Sequence, residues 1–234
     1  QAIPYRKNGW EYLLTASGID SLQWYVNSLF TKELDISQSY KDGLFVDSVF
    51  MTTNQMLTYL GDMDIEDSIY TLLLPSNQAW TDAYQHVLPY YKTLPKDGGT
   101  EAQIKNTKWS IARELVFRGA LTLPINKSSL QNTYGHTISN PDSLFLNSQY
   151  VKLSNGNAYI TDQWRFKGLE TWNQVIRVEA EDNQDNTRQT SNYSISVNSS
   201  LGTGFNASNN KYITCEPLTS SSISKLFVTF PIPN

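Results

Sequence analysis

Two periodicities divide the chain. Up to Phe117 apolar residues recur every three to four positions: Trp10, Leu13 and Leu14, then Leu22, Tyr25, Val26, Leu29 and Phe30, then Met56, Tyr59 and Leu60. That spacing predicts amphipathic helices, the second opened by Ser21 or Asp20 as N-cap. Tyr70–Leu74 (YTLLL) is a short unbroken apolar run ended by Pro75, the pattern of a buried strand. The next residues, Ser76-Asn77-Gln78-Ala79-Trp80, start a helix capped by Ser76 or Asn77. Residues 95–102 (PKDGGTEA) are rich in breakers and predict a loop. A further helix is expected from Ile104 to Phe117, with Ile104, Ile111, Leu115 and Val116 on one face. The period then changes to two, predicting strands at Leu121–Ile125, Ser129–Gln131, Leu144–Leu146, Tyr150–Leu153 and Ala158–Asp162. Helices first and a meander of strands second predict an α+β domain.

Beyond residue 176 the alternation comes in short bursts, Ile176–Glu181, Tyr193–Val197, Lys211–Glu216 and Leu226–Phe230, separated by Asn, Ser and Gly. These read as four strands joined by turns, which is about half of a β-sandwich. The expected division is therefore 1–176 for the α+β domain and 177–234 for a partial all-β segment. Its strand edges, with few charges and no proline inside Tyr193–Val197 and Leu226–Phe230, predict self-association. The last residues, Pro231-Ile232-Pro233-Asn234, read as a turn into further chain, so the native protein is expected to continue.

Charge narrows the functional classes. The net charge is -4, with 18 basic against 22 acidic residues, and only 17% of residues are charged. Nothing in that balance would neutralise a run of phosphates, so nucleic acid is not an expected partner. No apolar run reaches the ~20 residues of a membrane-spanning helix. A single cysteine, Cys215, excludes an intrachain disulfide and a cysteine-built zinc site. In place of charge the chain is rich in Ser, Thr, Asn and aromatic residues, which suits an extracytoplasmic protein. Four N-x-S/T sequons start at Asn126, Asn192, Asn198 and Asn206.

Catalytic constellations are thin. No G-x-S-x-G elbow is present. His86 and His136 read as packing or capping residues, and Cys215 as a small core hydrophobe in an alternating strand. Asp62, Asp64, Glu66 and Asp67 have the density of a calcium loop, but the glycine and terminal acid of an EF-hand are missing, so they read as a solvated acidic turn. Gly202–Ala207 matches G-x-G-x-x-A without the following helix a pyrophosphate needs. Glycosidase chemistry would require paired carboxylates, for which Glu170, Glu179, Glu181 and Asp182 are the candidates. Their position at a domain junction suits a hinge or ion site better than a cleft. Trp164 and Phe166, two apart, would share one face of a strand. With Trp172 they form either a sugar-stacking platform or a hydrophobic seam for the next domain.

The Tyr70–Trp80 segment resembles the first signature of fasciclin domains, in which a buried strand ends in Pro-Ser/Thr-Asn/Asp and runs into a helix. Pro75, Ser76, Asn77, Ala79 and Trp80 carry that resemblance. Glu114-Leu115-Val116-Phe117-Arg118 resembles the second signature, expected on a helix and without the family's aromatic–His pair. Thr133–Ile138 resembles the G-x-x-(I/L) element, and Ser154–Asp162, with Asn155-Gly156, the terminal hairpin. Tyr40–Phe50, opening near Lys41-Asp42-Gly43, and Tyr90–Glu101 read as insertions into that plan. The resemblance is to divergent bacterial members found as surface lipoproteins beside glycan-uptake machinery.

Val178–Asp182 resembles the opening of carbohydrate-binding jelly rolls of the galactose-binding-like fold, which implies a structural calcium in the C-terminal domain. Together these resemblances imply a non-enzymatic adhesion or scaffold protein at the cell surface, lipid-anchored to an outer membrane. Its partners would be surface proteins or polysaccharide. The alternative is a glycan-binding surface protein whose C-terminal β-sandwich carries the sugar site. No cofactor is implied for the fasciclin-like domain.

Overall fold

The computed structural model describes residues 5–175 and, beyond them, residues 187–188, 193–199, 211–217 and 228–229. The chain forms two compact units, Gln1–Gln174 and Val175–Asn234. The first opens with α1 (Gly9–Thr15), α2 (Asp20–Ser28), β1 (Phe30–Leu34), α3 (Ile36–Ser39), β2 (Tyr40–Lys41), β3 (Leu44–Phe45), β4 (Phe50–Asn54) and α4 (Gln55–Leu60). It continues through β5 (Tyr70–Pro75), α5 (Asn77–Val87), α6 (Gly99–Ala112), β6 (Val116–Arg118), β7 (Ser129–Gln131), β8 (Thr137–Ser139), β9 (Gln149–Leu153) and β10 (Gly156–Thr161). The unit is α+β.

Its centre is a four-stranded sheet in the order β6-β5-β10-β9. β10 lies parallel to β5, with Gly156 opposite Tyr70 and Ile160 opposite Leu74, while β6 and β9 run antiparallel to their neighbours. The expected plain meander is thus corrected: after β5 the chain passes through α5 and α6 to β6 on one side of it, and through β7, β8 and β9 before β10 closes the other side in parallel. Parallel central strands are covered on both faces, which is why YTLLL is apolar without alternation. Leu72, Leu73 and Leu74 are all buried, and Leu13, Ile19, Leu22, Met56, Ile111 and Phe117 close over them.

The corner after β5 follows its residue types. Ser76 is the N-cap of α5, its hydroxyl accepting from the Ala79 amide, and Ala79 and Trp80 turn into the core. Asn77 is the first helical residue and caps another helix. Its Oδ1 accepts from the Ser21 amide at 2.8 Å, and its Nδ2 donates to Asp20 at 2.8 Å. Neither Ser21 nor Asp20 is the cap of α2. That position is Ile19, without a side-chain bond, because a residue 56 positions away supplies the oxygen.

Several boundaries move. α2 stops at Ser28, and Phe30 opens a strand that pairs with β4. α6 begins at Gly99, inside the expected loop, and ends at Ala112. Arg113 and Glu114 form a turn, Leu115 a bend and Val116–Arg118 a strand, so the second signature-like segment is not on a helix, contrary to expectation. Val116 and Phe117 are drawn onto β5, where pairing completes a sheet edge.

Leu121–Ile125 is irregular. The Leu121 amide donates to Thr71 Oγ1, and its carbonyl accepts from Asn157 Nδ2 and the Tyr159 hydroxyl, so side chains replace a strand partner. The strand expected at Leu144–Leu146 is absent: Leu144 and Phe145 are buried, but a turn that starts at Pro141 presents them. Tyr40–Phe50 holds the β2–β3 hairpin, whose turn uses Asp42 and Gly43 at positive φ, and the opening of β4.

In the second unit β12 (Tyr193–Ser199) pairs antiparallel with β13 (Lys211–Pro217), and β11 (Thr187–Arg188) with β14 (Val228–Thr229). Strands were expected at three of these places. Ile176–Glu181, with the jelly-roll-like opening, and Gly202–Ala207 lie outside the described residues.

Candidate functional site

The loop after β10 gathers the three aromatic residues singled out in the sequence, though not on a strand. Trp164 and Phe166 stack at 4.6 Å between ring centroids, and Trp164 lies 6.0 Å from Trp172. Phe166 and Trp172 are buried, while Trp164 is half-buried and keeps part of its ring exposed. The shared-face argument fails because residues 164–167 are irregular. Stacking of the rings on one another, not strand alternation, brings them together. Gly168 lets the rings close, since a Cβ there would lie 3.3 Å from the Trp172 indole.

α5 supplies the opposite wall. Asp82 and His86 are one turn apart, so they share a face. Their neighbours Ala83 and Val87 point inward and anchor the helix on the core. His86 packs edge-on against the buried Trp172 at 5.6 Å, a packing contact as expected, while its exposed ring also reaches the rim. Asp82, His86, Gln163, Trp164 and Phe166 line an open depression of about 340 Å³. An indole face, a carboxylate, an amide and an imidazole thus surround one concavity. The indole nitrogens of Trp164 and Trp172 are buried without an acceptor among the described residues.

A second constellation is closed. Glu114 is fully buried in the turn after α6. Its carboxylate lies 2.8 Å from His136 Nδ1, 2.7 Å from the Asn132 amide nitrogen and 3.3 Å from Arg113 Nε. The Arg113 guanidinium covers the Tyr134 ring at 4.6 Å and reaches the Tyr91 hydroxyl at 3.4 Å. Asn132 Oδ1 in turn accepts from the Gly135 and His136 amides, shaping the turn between β7 and β8. A buried carboxylate surrounded by three donors is a clamp that fastens the β7–β8 hairpin to the end of α6. Sequence reading assigned His136 a structural role and missed Glu114 as its partner, because the two are 22 residues apart and on different elements.

The remaining candidates are dispersed. Glu170 accepts from the Ser139 hydroxyl and pairs with Lys167 at 3.5 Å, while Glu179, Glu181 and Asp182 lie outside the described residues. The acidic turn at 62–67 binds through its carbonyls. Those of Met63 and Ile65 accept from Asn155 Nδ2, whose Oδ1 accepts from the Gly9 amide at 2.8 Å. Asn155 and Gly156 therefore do more than close the β9–β10 hairpin. The loop is Ser154-Asn155, Asn155 ties it to α1, and Gly156 opens β10 against Tyr70. Among the described residues no group of three or more metal-type ligands assembles, and no helix is long and apolar enough to cross a membrane. No family model matches this chain, and no curated protein shows significant similarity to it.

Proposed function

We propose that the first unit is a non-enzymatic binding module of a cell-surface adhesion or scaffold protein, and that it takes glycan in the depression between α5 and the 162–172 loop. The observation that carries this reading is the wall of Trp164 and Phe166 facing Asp82 and His86, with Gln163 on the loop, across about 340 Å³. An aromatic face stacks against the C–H face of a sugar ring, while the carboxylate, amide and imidazole match its hydroxyls as acceptors and donors. The aromatic cluster thereby receives the first of its two sequence-level readings, the sugar platform, on the first unit and not on the C-terminal strands.

The order of four sequence elements supports the proposed surface location and fasciclin-like fold. Their placement supports that reading. The first signature-like segment is the central strand and its helical corner, the second pairs beside it, and the terminal hairpin flanks it on the other side. Family resemblance alone does not bring an activity with it, so the depression has to be tested directly.

Affinity electrophoresis through gels with embedded polysaccharides, preceded by a glycan array to choose them, is the direct test. The chain should be retarded by at least one polysaccharide, and Trp164→Ala should remove most of that retardation without changing the far-UV spectrum. Trp164 packs on Phe166 and Trp172 at the edge of the core, so Trp164→Phe, which keeps an aromatic face, is the companion variant and should retain most of the retardation. Absence of retardation across the array, or retardation unaffected by Trp164→Ala, would refute the site.

A further inference from the structure

We infer that the depression selects an uncharged glycan through its hydroxyl groups, with Asp82 as the residue that turns away carboxylated and sulfated sugars. The inference rests on the glycan reading of that depression and adds the class of sugar. Asp82, His86, Gln163, Trp164 and Phe166 line it, and no lysine or arginine is among these lining residues. Asp82 is their only carboxylate, and no ion pair reaches it among the described residues.

Two of these polar groups are oriented by their neighbours. Gln78, one turn earlier on α5, donates from Nε2 to Asp82 Oδ1 at 2.8 Å. Asp82 Oδ2 has no partner among the described residues and remains an acceptor. On the loop, Arg165 Nη2 donates to Gln163 Oε1 at 2.7 Å. A guanidinium can only donate, so this bond decides which end of the amide is the oxygen. Gln163 Nε2 has no partner among the described residues and remains a donor. Arg165 also donates to Thr161 Oγ1 at 3.4 Å, which holds its guanidinium on the loop and off the lining.

A ligand in the depression thus meets an ionised acceptor on α5 and an amide donor on the loop. A hydroxyl group suits both, since it carries one donor and two acceptor positions. A carboxylate or sulfate has no proton to give Asp82 and would set like charges together. An ammonium would pair with Asp82 but has no lone pair for Gln163. His86 adds one ring nitrogen of each kind, which hydroxyls again match. The Trp164 ring stacks on a C–H sugar face of any charge, so it supplies affinity without this discrimination. Neutral pyranose units are therefore the ligand that fits every lining side chain.

Affinity electrophoresis of the full chain tests the inference with a matched pair of polymers. One is the polysaccharide that the glycan array selects; the other is the same polymer with its C6 hydroxymethyl groups oxidised to carboxylates. The selected polymer should be neutral, and oxidation should weaken binding about tenfold. Asp82→Asn keeps the acceptor for Gln78 and removes the charge, so it should bring the two affinities within about twofold of each other. Gln163→Glu keeps the acceptor for Arg165 and removes the donor, so it should weaken binding of the neutral polymer about fivefold. Both side chains are exposed, and unchanged melts would show that the variants fold. An array that selects carboxylated, sulfated or amino sugars overturns the inference. So does a preference for the neutral polymer that Asp82→Asn leaves unchanged, or a neutral affinity that Gln163→Glu does not lower. In each of these outcomes Trp164→Ala still removes most of the retardation if the depression is the glycan site, so the two readings fail separately. Retardation by no polymer at all overturns both.

Discussion

Trp80 shows how much one side chain carries. It is 6% exposed and meets Tyr25 at 5.6 Å, joining α5 to α2 behind the central strand. Tyr25 itself is buried with no partner for its hydroxyl among the described residues, and burial raises its pKa. Trp80→Ala should cost about 3–5 kcal/mol, the range for removing a large buried aromatic. Denaturant or thermal melts would show it, and a loss near zero would mean the corner does not pack as described. Glu114 is the polar counterpart. The residue contacts its partners with both carboxylate oxygens, so its burial is matched by donors from Arg113, Asn132 and His136.

Among the elements, the parallel pairing of β5 and β10 depends on a residue without a side chain. Gly156 sits opposite Tyr70 at φ 147, and a Cβ there would collide with the Tyr70 carbonyl. Gly156→Ala should therefore destabilise by about 3 kcal/mol or more, through strain and displaced pairing. Gly43 provides the comparison. It also has positive φ, 79, but a Cβ there meets nothing within 4 Å, so Gly43→Ala should cost only about 1 kcal/mol. Melts of the two variants side by side separate close approach from backbone conformation. Equal losses would mean the β5–β10 contact is looser than the register indicates.

For the whole molecule, the proposed binding role predicts an absence of turnover. Glu170 is held by Ser139 and Lys167 on the surface of the first unit. His136 is committed to a buried carboxylate. Across a panel of chromogenic glycosides and esters the full chain should show no turnover above background. Activity that disappears on Glu170→Gln would reverse that reading and make the depression's neighbourhood a catalytic cleft.

Sequence alone determined the elements whose signal is local. YTLLL-Pro-Ser is a buried strand, a stop and a cap because apolar continuity, the ring of Pro75 and the Ser76 hydroxyl each act within a few residues. The α+β character and strands at Tyr150–Leu153 and Tyr193–Val197 were legible for the same reason, since alternation is a property of neighbours. Tertiary structure decided what depends on distant partners. Asn77 caps α2 from another helix, Val116–Phe117 leaves the helical pattern to pair with β5, and Leu121 exchanges a ladder for side-chain bonds. The depression belongs to the same class. Trp164 was visible as an aromatic, but Asp82 and His86 carry no mark of it in their own neighbourhood. Their roles come from a helix face turned toward a loop some 80 residues away, a proximity that burial of the shared core imposes and that no local pattern records.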